Sequence, residues 1–373
     1  MSAPARTRAC RGKERRALQK ARKNADPTRR AELLRELSDR LRKVAKCPDD
    51  AGTLMSLSLA CSALARFDAG EAPNAEREWL SKDLAVCERL CDLDPGEDAY
   101  ATRLASASHR LARSLERVDP GRARALLVRA LDLRERLAES QPRSSLARAM
   151  VALTCVRLGR LDVRLQPSRG RTWFLRACAI QERRAERDPA NVDVLHDLAH
   201  AHLALARAED GLSASAAARA YERWLATIDR CVELRPDDEG FALDRVIACL
   251  DVAEALEREG SPESEVALRR AVAAARGFAP RSGEGREGPE GEARALHALG
   301  AFLLRAGRAA EARACQRGQA RAMERAERLG ASGAGFELFR ARVLAVRGAA
   351  TEALDALERA VSLGLPDPGE PLR

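Results

Sequence analysis

The chain has few aromatic residues and few of the β-branched residues that favour strands. Aromatic residues make up 3% of its 373 residues, although hydrophobic residues as a whole make up 46%. Alanine, leucine, arginine and glutamate dominate instead, and these residues favour helices. We therefore expect an all-α protein with essentially no sheet, packed through leucine and alanine.

The sequence also lacks any long hydrophobic run. The first thirty residues are basic at their start but contain no apolar stretch of the length that a secretory signal needs. The nearest approach to a membrane span, the segment 54–65, is short and contains three serines. A disulfide scaffold is not expected either, since the ten cysteines of this long chain include no CxxC pair. These absences predict a cytoplasmic protein with reduced thiols.

Prolines mark an internal repeat. Five of them are spaced 47 residues apart and a sixth follows after 44, namely Pro48, Pro95, Pro142, Pro189, Pro236 and Pro280. The residue nine places after each of the first five is large and apolar, except at Arg245, and the next residue is mostly small. A second proline stands about 25 residues into most units, at Pro73, Pro120, Pro167 and Pro262. Since proline suits the first turn of a helix, each unit is predicted to be a hairpin of two helices.

Other residue types recur at the same period. Thirteen places after the first five of these closing prolines stand Cys61, Ser108, Cys155, His202 and Cys249. This column is predicted to face a neighbouring helix, because small or uncharged residues occupy it in every unit. Trp79 and Trp173 both stand sixteen places before a closing proline, and they are predicted to pack between units.

The repeat resembles the tetratricopeptide repeat (TPR). In that family a large apolar residue in the first helix is followed three places later by leucine and a small residue, as in Leu195, Leu198 and Ala199. The family's next aromatic position is occupied here by His202 and in other units by Cys or Ser. The 47-residue period exceeds the usual period of about 34 and is similar to that of long-helix variants in large bacterial proteins. The resemblance implies a right-handed superhelical solenoid of stacked antiparallel helix hairpins.

The pattern divides the chain into five regions. We expect a basic arm, partly helical or disordered, over 1–27, an array of 47-residue repeats over 28–279, a glycine-rich linker over 280–292, terminal repeats over 293–365 and a tail over 366–373. The terminal unit resembles an ordinary tetratricopeptide repeat, whose last helix is expected to be polar and to cap the stack. Its LERAV ending and Asp-Pro tail also resemble the repeat arms of some bacterial serine/threonine kinases.

In the tetratricopeptide family, the first helix of each hairpin lines a concave groove. The corresponding positions here stand four, seven, eleven and fourteen residues after each closing proline. The polar candidates for partner binding are therefore Thr102, Ser106, His109, Asp193, His196 and His200. In the alternative arrangement, the long helices close the groove and these residues belong to the core.

Three further patterns suggest chemistry, and each has a simpler explanation. The HDLAH stretch that starts at His196 resembles a zinc-protease motif, but its aspartate is shorter than the required glutamate and no third ligand follows. Cys87 and Cys91 share a helix face without a second ligand pair. The GxGxxG pattern at 283–288 follows no strand and lies in linker-like sequence. We therefore expect no metal site, no cofactor and no enzymatic activity.

Positive charge is concentrated at the start of the chain. Residues 1–46 carry a net charge of +11, whereas the whole chain carries +9. The densest basic stretch includes Arg11, Lys13, Arg15, Arg16, Lys20, Arg22 and Lys23. Such an arm could bind phosphate backbones or an anionic surface through counterion release, although it has no aromatic residue for base stacking and little apolar face for membrane insertion.

The sequence leaves three functions open. The first is a non-enzymatic scaffold or adaptor that binds a peptide or helix of another protein on the concave surface of the array. The second is a detached regulatory arm of a signalling enzyme such as a serine/threonine kinase. The third is the binding of nucleic acid or an anionic surface through the basic arm.

The cysteine pattern predicts the redox state of the purified protein. Under non-reducing conditions, all ten thiols should react with a thiol reagent after denaturation, because no disulfide is expected. Mass spectrometry of the alkylated protein counts the modified cysteines. Two or more stable native disulfides would contradict the cytoplasmic assignment.

Overall fold

The computed structural model of the chain describes residues 27–47, 49–70, 72–277, 287–331, 334–346 and 349–363. These residues form fifteen α-helices and contain no strand. The helices are α1 (Pro27–Lys46), α2 (Ala51–Asp68), α3 (Pro73–Leu93), α4 (Asp98–Leu115), α5 (Pro120–Ser140), α6 (Ser145–Asp162), α7 (Pro167–Arg187), α8 (Val192–Glu209), α9 (Ala214–Leu234), α10 (Glu239–Glu259), α11 (Glu263–Arg276), α12 (Glu287–Arg305), α13 (Ala309–Arg328), α14 (Ala334–Val346) and α15 (Ala350–Ser362).

The helices divide into two compact units, Met1–Leu161 and Asp162–Arg373. In the first unit, each helix from α1 to α4 packs against the next one along the chain. In the second unit the same order holds from α7 to α13, and α14 packs against α15. Helix α10 also contacts α12, the first helix of the following hairpin. The expected all-α fold of antiparallel helix hairpins is therefore confirmed.

The prolines determine where the second helices begin. Helices α3, α5 and α7 start at Pro73, Pro120 and Pro167, whose missing N–H group is not needed in a first turn. Where this proline is absent, Ser213 caps α9, because its side chain accepts a hydrogen bond from the N–H group of Ala216. The predicted register therefore holds even in the unit that lacks the proline.

The recurring columns of the repeat form the core. The column thirteen residues after the closing prolines is buried in all five units, at Cys61, Ser108, Cys155, His202 and Cys249. Burial raises the pKa of both Cys61 and Cys249 to about 11, so these thiols stay protonated at neutral pH and are weak nucleophiles. Arg245, which interrupts the apolar column, is half-buried and pairs with Asp229 at 2.9 Å.

Two tryptophans make the same polar contact in their hairpins. Trp79 Nε1 donates to Asp68 Oδ2 at 3.0 Å, and Trp173 Nε1 donates to Asp162 Oδ2 at 3.0 Å. Each aspartate ends the first helix of its hairpin, and the tryptophan lies on the second. These hydrogen bonds join the two helices of one hairpin, because an indole N–H group removed from water needs an acceptor. The predicted packing between units is confirmed for Trp79, which also packs against a cluster that includes Leu33 and Leu37 of α1.

The last six residues of the predicted linker are helical. Helix α12 begins at Glu287, so residues 287–292 are helical rather than part of a linker. Glu292 anchors this turn, since it is buried and accepts a hydrogen bond from Arg276 Nε of α11 at 2.8 Å. The division of the chain into five regions otherwise stays a prediction.

The last described helix differs from the expected polar cap. On α15, Leu354 is 60% exposed, Leu357 is 40% exposed and Val361 is 63% exposed. These residues follow the helical spacing of three and four, so they form an apolar stripe at the surface. The prediction that a polar helix ends the stack is therefore wrong for this helix.

Asp83 on α3 is the centre of a buried polar network. Its side chain is fully buried, and its oxygens accept hydrogen bonds from Ser58 Oγ at 2.5 Å and Ser62 Oγ at 2.9 Å, both on α2. Arg110 of α4 donates to the same carboxylate at 2.5 Å. Arg103, also on α4, donates to Ser58 Oγ at 2.6 Å. One carboxylate therefore joins three consecutive helices.

Replacing Asp83 with alanine should destabilise the first unit strongly. The change removes the ion-pair partner of Arg110 and leaves the buried hydroxyl groups of Ser58 and Ser62 without their acceptor, and each buried polar group left unsatisfied costs about 1–3 kcal/mol. The exposed Asp92 on the same helix is the matched control, and Asp92→Ala should change the free energy of unfolding by less than about 0.5 kcal/mol. Urea unfolding followed by circular dichroism measures both variants. Equal losses would contradict the role of the network.

Candidate partner-binding surface

The first helices of the hairpins expose a column of side chains that is large and apolar in three of the five repeats. This column, named the outward column, stands eleven residues after each closing proline and consists of Leu59, Ser106, Leu153, His200 and Ile247. Its three apolar members keep 51%, 39% and 37% of their surface exposed, in that chain order. His200 is exposed and Ser106 is half-buried. The residues one position earlier are buried in all five repeats, so exposure is a property of this column rather than of the whole helix.

Three candidate residues lie on one face of α4 in the first unit. Thr102, Ser106 and His109 are spaced four and three residues apart, which places them on the same side of a helix. Thr102 is exposed, and the other two are half-buried. None of the three therefore belongs to the fully buried core.

His109 contacts a buried arginine of the neighbouring second helix. Its Nδ1 lies 3.3 Å from Nη1 of Arg134 on α5. Burial lowers the pKa of His109 to about 3, and the positive charges of Arg134 and Arg157 add to the shift. His109 is therefore neutral at physiological pH, and Nδ1 can accept a hydrogen bond from the guanidinium group.

The other three candidates lie on α8 in the second unit. Asp193 and His196 are half-buried, whereas His200 is exposed. The rings of the two histidines meet edge to face with centroids 4.4 Å apart, and the His196 ring lies 5.6 Å from that of Phe241 on α10. Asn191 caps this helix by accepting hydrogen bonds from two N–H groups of its first turn. The histidine pair therefore packs beside a buried aromatic ring of the next first helix.

Among the described residues, neither the histidine pair on α8 nor the cysteine pair on α3 belongs to a larger group of metal ligands. In the described part of the chain, no group of three or more His, Cys, Asp or Glu side chains is placed to hold a metal ion. Zinc sites use three or four protein ligands, so the histidine pair on α8 supplies too few. On α3, Cys87 is buried and Cys91 is half-buried. Burial raises the pKa of Cys87 to about 11, which keeps this thiol protonated.

His202 lies in the core, as its column predicts. It is 5% exposed, and its ring nitrogens lie 3.3 Å from Thr227 Oγ1 on α9 and 3.3 Å from Glu182 Oε1 on α7. Burial lowers the pKa of His202, and the hydrogen bond with Glu182 opposes that shift. The prediction that this column faces neighbouring helices is confirmed.

Several polar residues near the first helices are not found by sequence reasoning. Arg134 is one of them. The sequence gives a single indication of it, which is that uncharged Cys87 and Gln181 stand at the equivalent positions 47 residues before and after it. Asp244 and Asp251, two turns apart on α10, are others. Burial raises the pKa of both carboxyl groups to about 6.

Two predicted features fall wholly or partly outside the described residues. Residues 1–26 of the basic arm, which include Arg11 to Lys23, lie outside them, and so does most of the GxGxxG pattern at 283–288. No described helix combines the length and the hydrophobicity of a membrane span.

No family model and no curated protein sequence matches the chain. Among solved structures, the chain is similar to "MamA MSR-1 C2", with 18% identity, 58% of this chain and 98% of that chain covered, and a TM-score of 0.32. YrrB, described as a TPR protein with an unusual peptide-binding site, is 14% identical over 63% of this chain and 91% of its own, with a TM-score of 0.34. Nro1, described as a nuclear import adaptor, is 11% identical over 82% of this chain and 96% of its own, with a TM-score of 0.46. These similarities are too distant to add to what the helix packing shows.

Replacing both His196 and His200 with alanine should change the free energy of unfolding by less than about 1 kcal/mol, because His200 is exposed and His196 is only half-buried, so neither fills the fully buried core. His202→Glu should cost on the order of 1–3 kcal/mol, because it places a charge in a buried position beside Glu182. Thermal melts compare the variants. Equal destabilisation would mean that the histidine pair belongs to the core. A rise in the wild-type Tm with zinc that the double mutant lacks would reveal a metal site.

Proposed function

We propose that the chain is a non-enzymatic scaffold that binds a peptide or helix of another protein on its first helices. The observation that supports this proposal is the outward column, which keeps Leu59, Leu153 and Ile247 exposed at equivalent positions of three repeats. Contiguous exposed apolar surface marks interaction sites, and a column repeated from hairpin to hairpin would supply such a surface to a bound segment. We also propose that the chain acts in the cytoplasm, as its sequence predicts.

The polar candidates would supply specificity around these apolar contacts. Thr102 and Ser106 offer hydroxyl groups on α4, and the histidine pair offers ring faces and edges on α8. Interfaces commonly combine a few apolar anchors with polar groups that fix register and orientation. A peptide or helix with apolar side chains at helical spacing fits this combination.

Charged substitutions in the outward column test the proposal. Leu153→Glu in the first unit and Ile247→Glu in the second should each weaken partner recovery by about tenfold or more, because a charge replaces an apolar anchor. Val266→Glu on the second helix α11 is the matched control, since Val266 is 67% exposed and lies outside the column. Affinity purification with quantitative mass spectrometry compares the variants.

Two further measurements separate binding on the first helices from other causes. Melting curves should show all three variants folded, because each replaced side chain is already exposed. A chain without residues 1–24 should retain the same partners. Partners that persist in both column variants but disappear with the arm would contradict the proposal.

A further inference from the structure

Arg134 is a buried cation whose contacts are all uncharged. It lies on α5, is 6% exposed and reaches the first helices on both sides. Its Nη1 donates to Thr154 Oγ1 at 2.5 Å and to the carbonyl oxygen of Met150 at 3.3 Å, both on α6. The same atom lies 3.3 Å from Nδ1 of His109 on α4, and that ring is neutral at physiological pH.

No carboxylate compensates this charge within the described residues. Three neighbouring arginines, in contrast, each form an ion pair with a carboxylate: Arg110 with Asp83 at 2.5 Å, Arg113 with Glu76 at 3.9 Å and Arg157 with Glu116 at 3.6 Å. Arg134 makes no such contact, and burial lowers the pKa of its guanidinium group to about 10. A buried charge without a counter-charge is costly, so an anion bound there would be stabilised.

The guanidinium group also has an unused edge. Nε and Nη2 of Arg134 donate no hydrogen bond to any described residue, and neither atom is fully enclosed by protein. Side by side, these two donors form the fork that binds a carboxylate in bidentate geometry. The guanidinium group contacts His109, which shares the α4 face with Ser106 of the outward column.

We propose that Arg134 anchors an aspartate or glutamate side chain of a partner segment bound on the first unit. This inference rests on the proposed scaffold function and adds the chemistry of the ligand. One uncompensated guanidinium group matches one carboxylate, whereas a phosphate dianion would require a second cation and the neighbouring arginines are already paired. The outward-column residue Leu153 lies on α6, the helix that also carries Met150 and Thr154, with which Arg134 makes hydrogen bonds.

Selection from a library of short random peptides tests the inference. Peptides are selected against the full chain, against Arg134→Gln and against Arg136→Gln, an exposed arginine on the same helix that serves as matched control. The full chain and Arg136→Gln should enrich peptides with an acidic residue at a fixed position. These peptides should bind Arg134→Gln about tenfold or more weakly, as expected for the loss of a charge-assisted bidentate contact.

A second variant and a spectroscopic measurement separate loss of binding from loss of folding. Arg134→Lys keeps the charge but lacks the fork, so its affinity should fall between those of the wild type and Arg134→Gln, and melting curves show whether both are folded. The pKa of His109, followed by NMR and assigned with His109→Gln, should rise when an enriched peptide binds, because the carboxylate offsets the charge of Arg134.

The outcomes distinguish this inference from the function on which it rests. Enriched peptides without a fixed acid, or with an acid whose binding Arg134→Gln leaves unchanged, overturn the inference but not the scaffold function. No enrichment against any form of the chain overturns the scaffold function, and the inference with it.

Discussion

The structure depends on one constraint, which is that a hairpin of two helices cannot cover its own apolar face. Each hairpin is stable only when the next one packs against it, so the same columns must be apolar or small in every unit. The turns within hairpins are tight as well: at Gly170 of α7, an added Cβ atom would lie 2.7 Å from the backbone of Val163 in the preceding turn, so only glycine fits there.

The same constraint sets the surface of the first helices. Packing buries the residue ten places after each closing proline and exposes the next one, in the outward column, in four of the five repeats. The polar side chains close to the first helices differ between the two units. The first unit places Arg103, Arg110 and Arg134 there, whereas the second places Asp244 and Asp251 on α10.

Features that recur at the 47-residue period could be predicted from the sequence, and features that occur once could not. The starts of α3, α5 and α7 and the burial of His202 follow from spacing alone. The network around Asp83 does not, because Ala130 occupies the equivalent position one repeat later. The start of α12 was missed because glycine-rich sequence favours a linker, whereas the ion pairs of Glu292 with arginines of α11 and α13 hold a helix there.

A partner bound as proposed would cover the first helices and leave the second helices open. Carbene footprinting of the chain with and without a purified partner measures this directly, because the label reports the accessibility of individual side chains. Labelling should decrease at Leu153 or Ile247 and stay unchanged at Leu175 and Val266, which are 40% and 67% exposed on second helices. Protection of the second-helix residues, with the outward column labelled as before, would contradict binding on the first helices.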